Sequence, residues 1–237
     1  MYLLQYQKYF KMRFEDYPKP NVTVDLVVFT VQDNDLKVLL VKRGIKPFKD
    51  KWALPGGFVH IDESLEDAAR RELEEETGVR EKDMHGVYLE QLYTFGDLNR
   101  DPRGRVITMT YFALINSKNL KLKADTDVTE VAWFPISKLP ELAFDHDKIL
   151  DYAVKRLKWK FEYTPVAFSL LPEHFTMTHL QEVYEIIFRK KFDKRNFRKK
   201  VLSLDILKRE KVDYDVSHRP PQLYSLKKDV KEIIEIL

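Results

Sequence analysis

No cysteine occurs anywhere in the 237 residues, which excludes disulfide cross-links and thiolate metal sites and removes the usual sign of an exported protein. Long apolar runs are missing too, and none approaches the ~20 residues of a membrane span. Residues 1–16 hold apolar and aromatic side chains, but Gln5, Gln7, Lys8, Lys11 and Arg13 break them too often for a signal-peptide core. Internal repeats and low-complexity tracts are absent. These absences predict a cytoplasmic protein with no membrane partner. What is present is a hydrophobic share of 44% and an aromatic share of 13%, enough for well-formed cores. The length suits two domains of ~100–150 residues. The net charge of +3 hides a split: residues 151–237 carry 19 Lys and Arg against 13 Asp and Glu, whereas residues 1–150 carry 22 against 25. A change of sign between the halves points to different partners for each.

The residue pattern predicts mixed elements. Val22 to Val31 alternates and is β-branched, Asp33-Asn34-Asp35 signals a turn, and Leu36 to Lys42 reads as the returning strand. Ala53-Leu-Pro-Gly56 is a tight bend. Residues 64–77 read as a helix with Ser64 at its N-cap, Asp67 at N3 and Gly78 beyond its end. Strands follow at 87–95, 105–115 and 129–134, and a helix at 145–161. This order suits an α/β sandwich. Thr164-Pro165 breaks the pattern and reads as a linker. Beyond it, Thr178-His-Leu-Gln181 reads as a capping box that opens a helix to Phe188. Asp193 caps a second helix to Leu204, and residues 206–226 suit a hairpin with Arg219-Pro220-Pro221 at its tip. Helix, basic helix and hairpin form the pattern of a winged helix-turn-helix. The expected division is an N-terminal extension at 1–20, a first domain at 21–160 and a DNA-binding domain at 161–237.

The strongest motif begins at Gly57. Glu63 follows after five residues, then after seven more come Arg71-Glu72-Leu73, Glu75-Glu76 and Gly78-Val79. Every position of the Nudix signature is filled. Glu72, Glu75 and Glu76 stand at i, i+3 and i+4, one face of a helix. Three crowded carboxylates repel one another unless a hard divalent cation joins them, and Mg²⁺ prefers this donor type. Gly56-Gly57 lets the backbone approach a ligand, and Arg71 can hold the acidic residues by charged pairs. Resemblance to Nudix hydrolases implies cleavage of nucleoside diphosphate derivatives with Mg²⁺ or Mn²⁺. On that resemblance Glu72, Glu75 and Glu76 are metal ligands beside Gly57, and Glu72, Glu75 and Arg71 the catalytic group, with Glu130 a candidate outside carboxylate. Arg100, Arg103 and Arg105 on the Asp97–Arg105 loop suit a bidentate grip on phosphates, and the stretch resembles ADP-ribose-type Nudix proteins. Trp52, Phe58 and Phe95 suit either stacking on a base or sugar or packing in the core.

Between Arg189 and Lys200 the chain carries a net +7 in 12 residues. On a helix from 194, Phe197, Val201 and Leu204 turn inward. Lys194, Arg195, Asn196, Arg198 and Lys199 are then free to meet a duplex, and Arg219 on the hairpin tip could reach a neighbouring groove or phosphate. Phe168-Ser-Leu-Leu-Pro172, Asp193 to Val201, Arg219 to Tyr224 and Ala143-Phe-Asp-His146 resemble the Nudix-related transcription regulators. That resemblance implies a homodimer on a two-fold DNA operator, with a Nudix domain sensing an ADP-ribose-like or sugar effector. Many of these regulators have a decayed Nudix motif, whereas this sequence keeps every position. It therefore leaves two readings: a ligand-responsive regulator with residual Mg-dependent hydrolysis, or a Nudix pyrophosphohydrolase acting on ADP-ribose or a related compound.

Overall fold

The computed structural model describes residues 13–78, 88–117, 122, 128–210, 221–231, 233, 234 and 236. Its centre is β1 (Asn21–Gln32), a run of β-branched and apolar residues buried on both faces. That double burial requires a layer on each side of the sheet. The C-terminal end of β1 turns at Asp33 and Asn34, both at positive φ, into antiparallel β2 (Asp35–Arg43). Its N-terminal end pairs instead with β4 (Gly56–Phe58), placing Thr23 opposite Phe58 and Asp25 opposite Gly56. The short β3 (Trp52–Ala53) and β4 occupy the stretch that the sequence suggests is only a bend. On its other side β1 runs parallel to β6 (Val106–Leu114), which carries antiparallel β5 (Tyr88–Phe95). With β7 (Val128–Pro135) beside β2, the result is a seven-stranded mixed sheet.

Strand alternation sorts the two faces. Val24, Leu26 and Val28 pack with Ala68, Ala69 and Leu73 of helix α1 (Leu65–Thr77). Val27 and Phe29 lie in the opposite layer with Ile149, Ala153 and Leu157 of helix α2 (His146–Tyr163). The sandwich predicted from the sequence is therefore present. Thr23 and Asp25 share the α2 side, where β4 leaves space.

The second unit follows directly. Thr164 ends α2: its hydroxyl donates to the Lys160 carbonyl at 2.6 Å. A 3-10 helix at Pro165–Leu170 then buries Val166, Ala167 and Leu170. The expected linker is thus a packed corner. Helices α3 (Met177–Phe188) and α4 (Lys194–Ser203) follow, with a three-stranded sheet of β8 (Phe175–Thr176), β10 (Leu223–Leu226) and β9 (Leu207–Arg209). The capping box expected at Thr178 is displaced. Thr176 is the N-cap, accepting from the His179 backbone N–H at 3.1 Å, because β8 delivers the chain two residues earlier. Gln181 instead donates to Glu185 and to the Phe192 carbonyl. One apolar core runs from β1 through α2 to α3, α4 and β10. At its middle the Tyr184 ring packs on Phe161 at 5.3 Å, and its buried hydroxyl donates to the Phe161 carbonyl at 3.3 Å.

Candidate functional site

Helix α1 is capped as its sequence requires: Ser64 accepts from the Asp67 N–H at 3.1 Å, and Gly78 closes the helix at φ 72°. Arg71 is the hub of its acidic side chains. It donates to Glu63 at 2.6 and 2.9 Å, to Glu72 at 2.7 Å, to Glu75 at 3.0 Å and to the Phe58 carbonyl at 3.1 Å. The Arg71 guanidinium holds the Glu63 carboxyl down at about 2. Glu72 is buried, and burial pushes its carboxyl up against the opposing pull of Arg71. It also lies against Gly57 so closely that a Cβ there would meet its Oε1 at 2.2 Å. Glycine at 57 is what lets this carboxylate reach the strand edge. Val79 and the Glu76 side chain lie outside the described residues. Among the described residues no group of three or more His, Asp or Glu is close enough to hold a metal ion. Glu130 is exposed on β7 and paired with Lys42 at 3.6 Å.

Gly57 also lines a cavity of about 150 Å³ on the α2 side of the sheet. Its mouth is basic and aromatic. The Arg103 guanidinium lies 5.1 Å from the Phe58 ring and 5.5 Å from that of Phe144, while Arg43 lies 4.8 Å from Phe144. Asp101 orients Arg103 through a two-pronged pair at 2.7 and 3.0 Å. Phe144 holds φ at 54°, left-handed backbone that a bulky side chain seldom adopts; such strain gathers where a side chain is held for a purpose. Deeper in, Arg100 donates to Asp145 at 2.8 and 3.2 Å and to Asp25 at 3.2 Å, all three side chains being buried.

Of the residues proposed from sequence for the ligand, Arg100, Arg103 and Phe58 line this cavity. Arg100 is not an open phosphate grip, because its guanidinium is committed to two carboxylates. Arg105 points elsewhere, donating to the carbonyls of Gly96 and Asp97. Trp52 is partly buried and packs edge-on against Phe134 at 4.5 Å at the margin of the core. Sequence reasoning missed Asp25, although an acid inside an apolar strand is itself a signal, and it gave Asp145 and His146 no role at the site.

His146 is fully buried, and burial pushes its imidazole pKa down from 6.5. Its Nδ1 accepts from the Leu54 N–H at 2.8 Å, so the ring is held neutral with its proton on Nε2, 3.7 Å from Asp25. A depressed base binds fewer protons folded than unfolded, so its contribution is complete above the unfolded value of 6.5 and declines as pH falls below it. We expect ¹⁵N-edited NMR to find the His146 proton on Nε2 and its imidazole titrating below the ordinary 6.5. A His146 that titrates at or above 6.5 would contradict this.

In the second unit Asp193 caps α4, accepting from the Asn196 N–H at 2.8 Å. Phe197 and Val201 are buried and Leu204 packs at the core margin, while Lys194, Arg195, Asn196, Arg198 and Lys199 are exposed. Arg198 reaches the Tyr224 hydroxyl of β10 at 3.4 Å. The hairpin tip, with Arg219 and Pro220, lies outside the described residues.

Comparison with known proteins accords with both units. The NUDIX domain model matches residues 19–153, and the NrtR DNA-binding winged helix domain model matches residues 167–226. The ADPR responsive transcriptional repressor NtrR of Acinetobacter baylyi is 38% identical over 226 residues, covering 94% of this chain and 86% of that protein. The chain is a Nudix-related transcription regulator. Its ligand-responsive, DNA-binding character follows from that membership. Among solved structures, the regulator is similar to Shewanella oneidensis NrtR in complex with a 27mer DNA, with a TM-score of 0.76 and 38% identity over 90% of this chain and 97% of that one. Its first unit is similar to the NUDIX domain of the same Shewanella protein complexed with ADP ribose, with a TM-score of 0.54 and 37% identity over 65% of this chain and 98% of that one. No helix of the described residues is long and apolar enough to cross a membrane.

Proposed function

We propose that the cavity beside Gly57 takes a nucleoside diphosphate sugar of the ADP-ribose type and that its occupancy weakens the hold of α4 on a double-stranded operator. The observation that carries this is the position of Asp145 and His146. His146 lines the cavity, Asp145 holds the lining residue Arg100, and the two begin α2, the helix whose far end packs through Phe161 onto Tyr184 of the DNA-binding unit. A ligand that disturbs the Arg100–Asp145 pair therefore acts on the helix joining both sites. Arg103, stiffened by Asp101 and flanked by two aromatic rings, suits a diphosphate and a base at the mouth. Two of the relatives, an ADPR responsive repressor and a NUDIX domain complexed with ADP ribose, support the same ligand class. A homodimer on a two-fold site is part of the proposal.

The donor set of α1 is carboxylate oxygen, and Glu72 is a desolvated carboxylate offset only by arginine, which fits a hard divalent cation. Glu72, Glu75 and Glu76 would hold Mg²⁺ or Mn²⁺. Such an ion lowers the pKa of water and neutralises phosphate oxygens. Arg71 positions Glu72 and Glu75 whether or not turnover occurs, so slow hydrolysis is the second reading.

The test is a mobility-shift assay on DNA fragments selected from genomic DNA, with and without ADP-ribose and Mg²⁺, followed by analysis of the nucleotide. ADP-ribose should release the DNA at concentrations that saturate binding in calorimetry. Binding of a neutral sugar alone, or DNA affinity indifferent to ADP-ribose, would sink the proposal. Rapid conversion to AMP with no effect on DNA would favour the hydrolase.

A further inference from the structure

Buried polar groups nearly always find partners. Among the described residues two buried side-chain oxygens do not: the hydroxyls of Thr23 and Thr110. They are near neighbours across the β1–β6 ladder, since Thr110 stands opposite Asp25. Only Thr23 lines the cavity. It is 7% exposed, and strand alternation places it on the same face as Asp25.

We infer that the Thr23 hydroxyl, beside Asp25, is the contact by which the cavity reads a hydroxyl group of its ligand, with the ligand's second sugar on the cavity floor and its phosphates at the mouth. The inference rests on the ADP-ribose reading above and adds an orientation and a specificity-determining residue to it. Three observations carry it. The first is size: about 150 Å³ is well below the ~300–1,000 Å³ of a site that engulfs a drug-sized molecule, so one moiety of a nucleoside diphosphate sugar enters and the remainder stays at the rim. The second is charge. On the floor, the single guanidinium of Arg100 is shared by two buried carboxylates, Asp25 of the lining and Asp145 outside it. His146 adds no charge there. A phosphate would meet net negative charge in a dry setting, whereas at the mouth two cations, Arg103 and Arg43, outnumber the one carboxylate of Asp101. The third is chemistry. A sugar hydroxyl both donates and accepts, so it can serve a carboxylate and a threonine hydroxyl two residues apart on one strand face.

The experiment is calorimetric binding of ADP-ribose and of ADP, which lacks the second sugar, to full-length wild type, Thr23→Val, Thr23→Ser and Thr110→Val. Valine keeps the threonine shape and removes only an unpaired hydroxyl, so Thr23→Val should melt at or above the wild-type temperature. We expect Thr23→Val to weaken ADP-ribose by about fivefold to tenfold, the worth of one hydrogen bond. ADP affinity should be unchanged, Thr23→Ser should restore ADP-ribose binding, and Thr110→Val should behave as wild type. Equal loss for ADP and ADP-ribose, or no loss for either, would overturn the orientation while leaving the ADP-ribose site in place. A wild type that binds neither nucleotide would overturn both readings.

Discussion

Replacing Lys194, Arg195, Arg198 and Lys199 together by alanine should lower affinity for operator DNA by about a hundredfold or more at moderate salt. The same variant should flatten the dependence of log affinity on log salt by up to ~4, since each phosphate neutralised contributes ~0.9 to that slope. All four are exposed on α4, whose buried face is supplied by Phe197 and Val201, so the fold should survive. The Asp193 cap remains and the first turn keeps its free N–H groups for the duplex. Fluorescence anisotropy over a salt series separates the cases. A variant with an unchanged slope would mean that this basic face is merely solvated and that the duplex lies elsewhere.

A comparable loss, this time of stability, is expected from Arg100→Ala. It leaves Asp25 and Asp145 buried without the cation they share. Breaking a buried ion pair by removing one partner costs about 3–5 kcal/mol. For a chain of this size that corresponds to a melting point lower by roughly 6–20 °C. Arg105→Ala is the matched control, because its side chain is exposed and meets only the carbonyls of Gly96 and Asp97. That variant should stay within about 0.5 kcal/mol of wild type. If both variants melt together, Arg100 is not the keystone of the cavity floor.

The contrast between these two arginines shows what could be read from the sequence. Arg100 and Arg105 stand on one loop with the same chemistry, and nothing local distinguishes them. What does is distance along the chain: the partners of Arg100 lie 45 and 75 residues away, at the start of α2 and inside β1. Features set by neighbours were legible, among them the Ser64 and Asp193 caps, the turn at Asp33-Asn34 and the inward face of α4. The acidic cluster was legible as well, because Glu63, Arg71, Glu72 and Glu75 lie within 13 residues. The cap at Thr176 was hidden by a similar signal two residues on. It became the cap because β8 pairs with β10, some 47 residues later, and ends there. The cavity was invisible for the same reason, since six separate segments contribute its walls.

Helix α2 has a mechanical consequence. From His146, against the cavity floor, to Phe161, against Tyr184, it rises 15 residues, about 22 Å at 1.5 Å per residue. With no proline or glycine inside it, the helix has no built-in hinge. A tilt of about 10° pivoting at the cavity would carry its far end by about 4 Å, roughly a third of the ~12 Å width of a major groove. A displacement too small to notice at the ligand would therefore be large by the measure of the duplex, where α4 must meet phosphates set by the pitch of DNA.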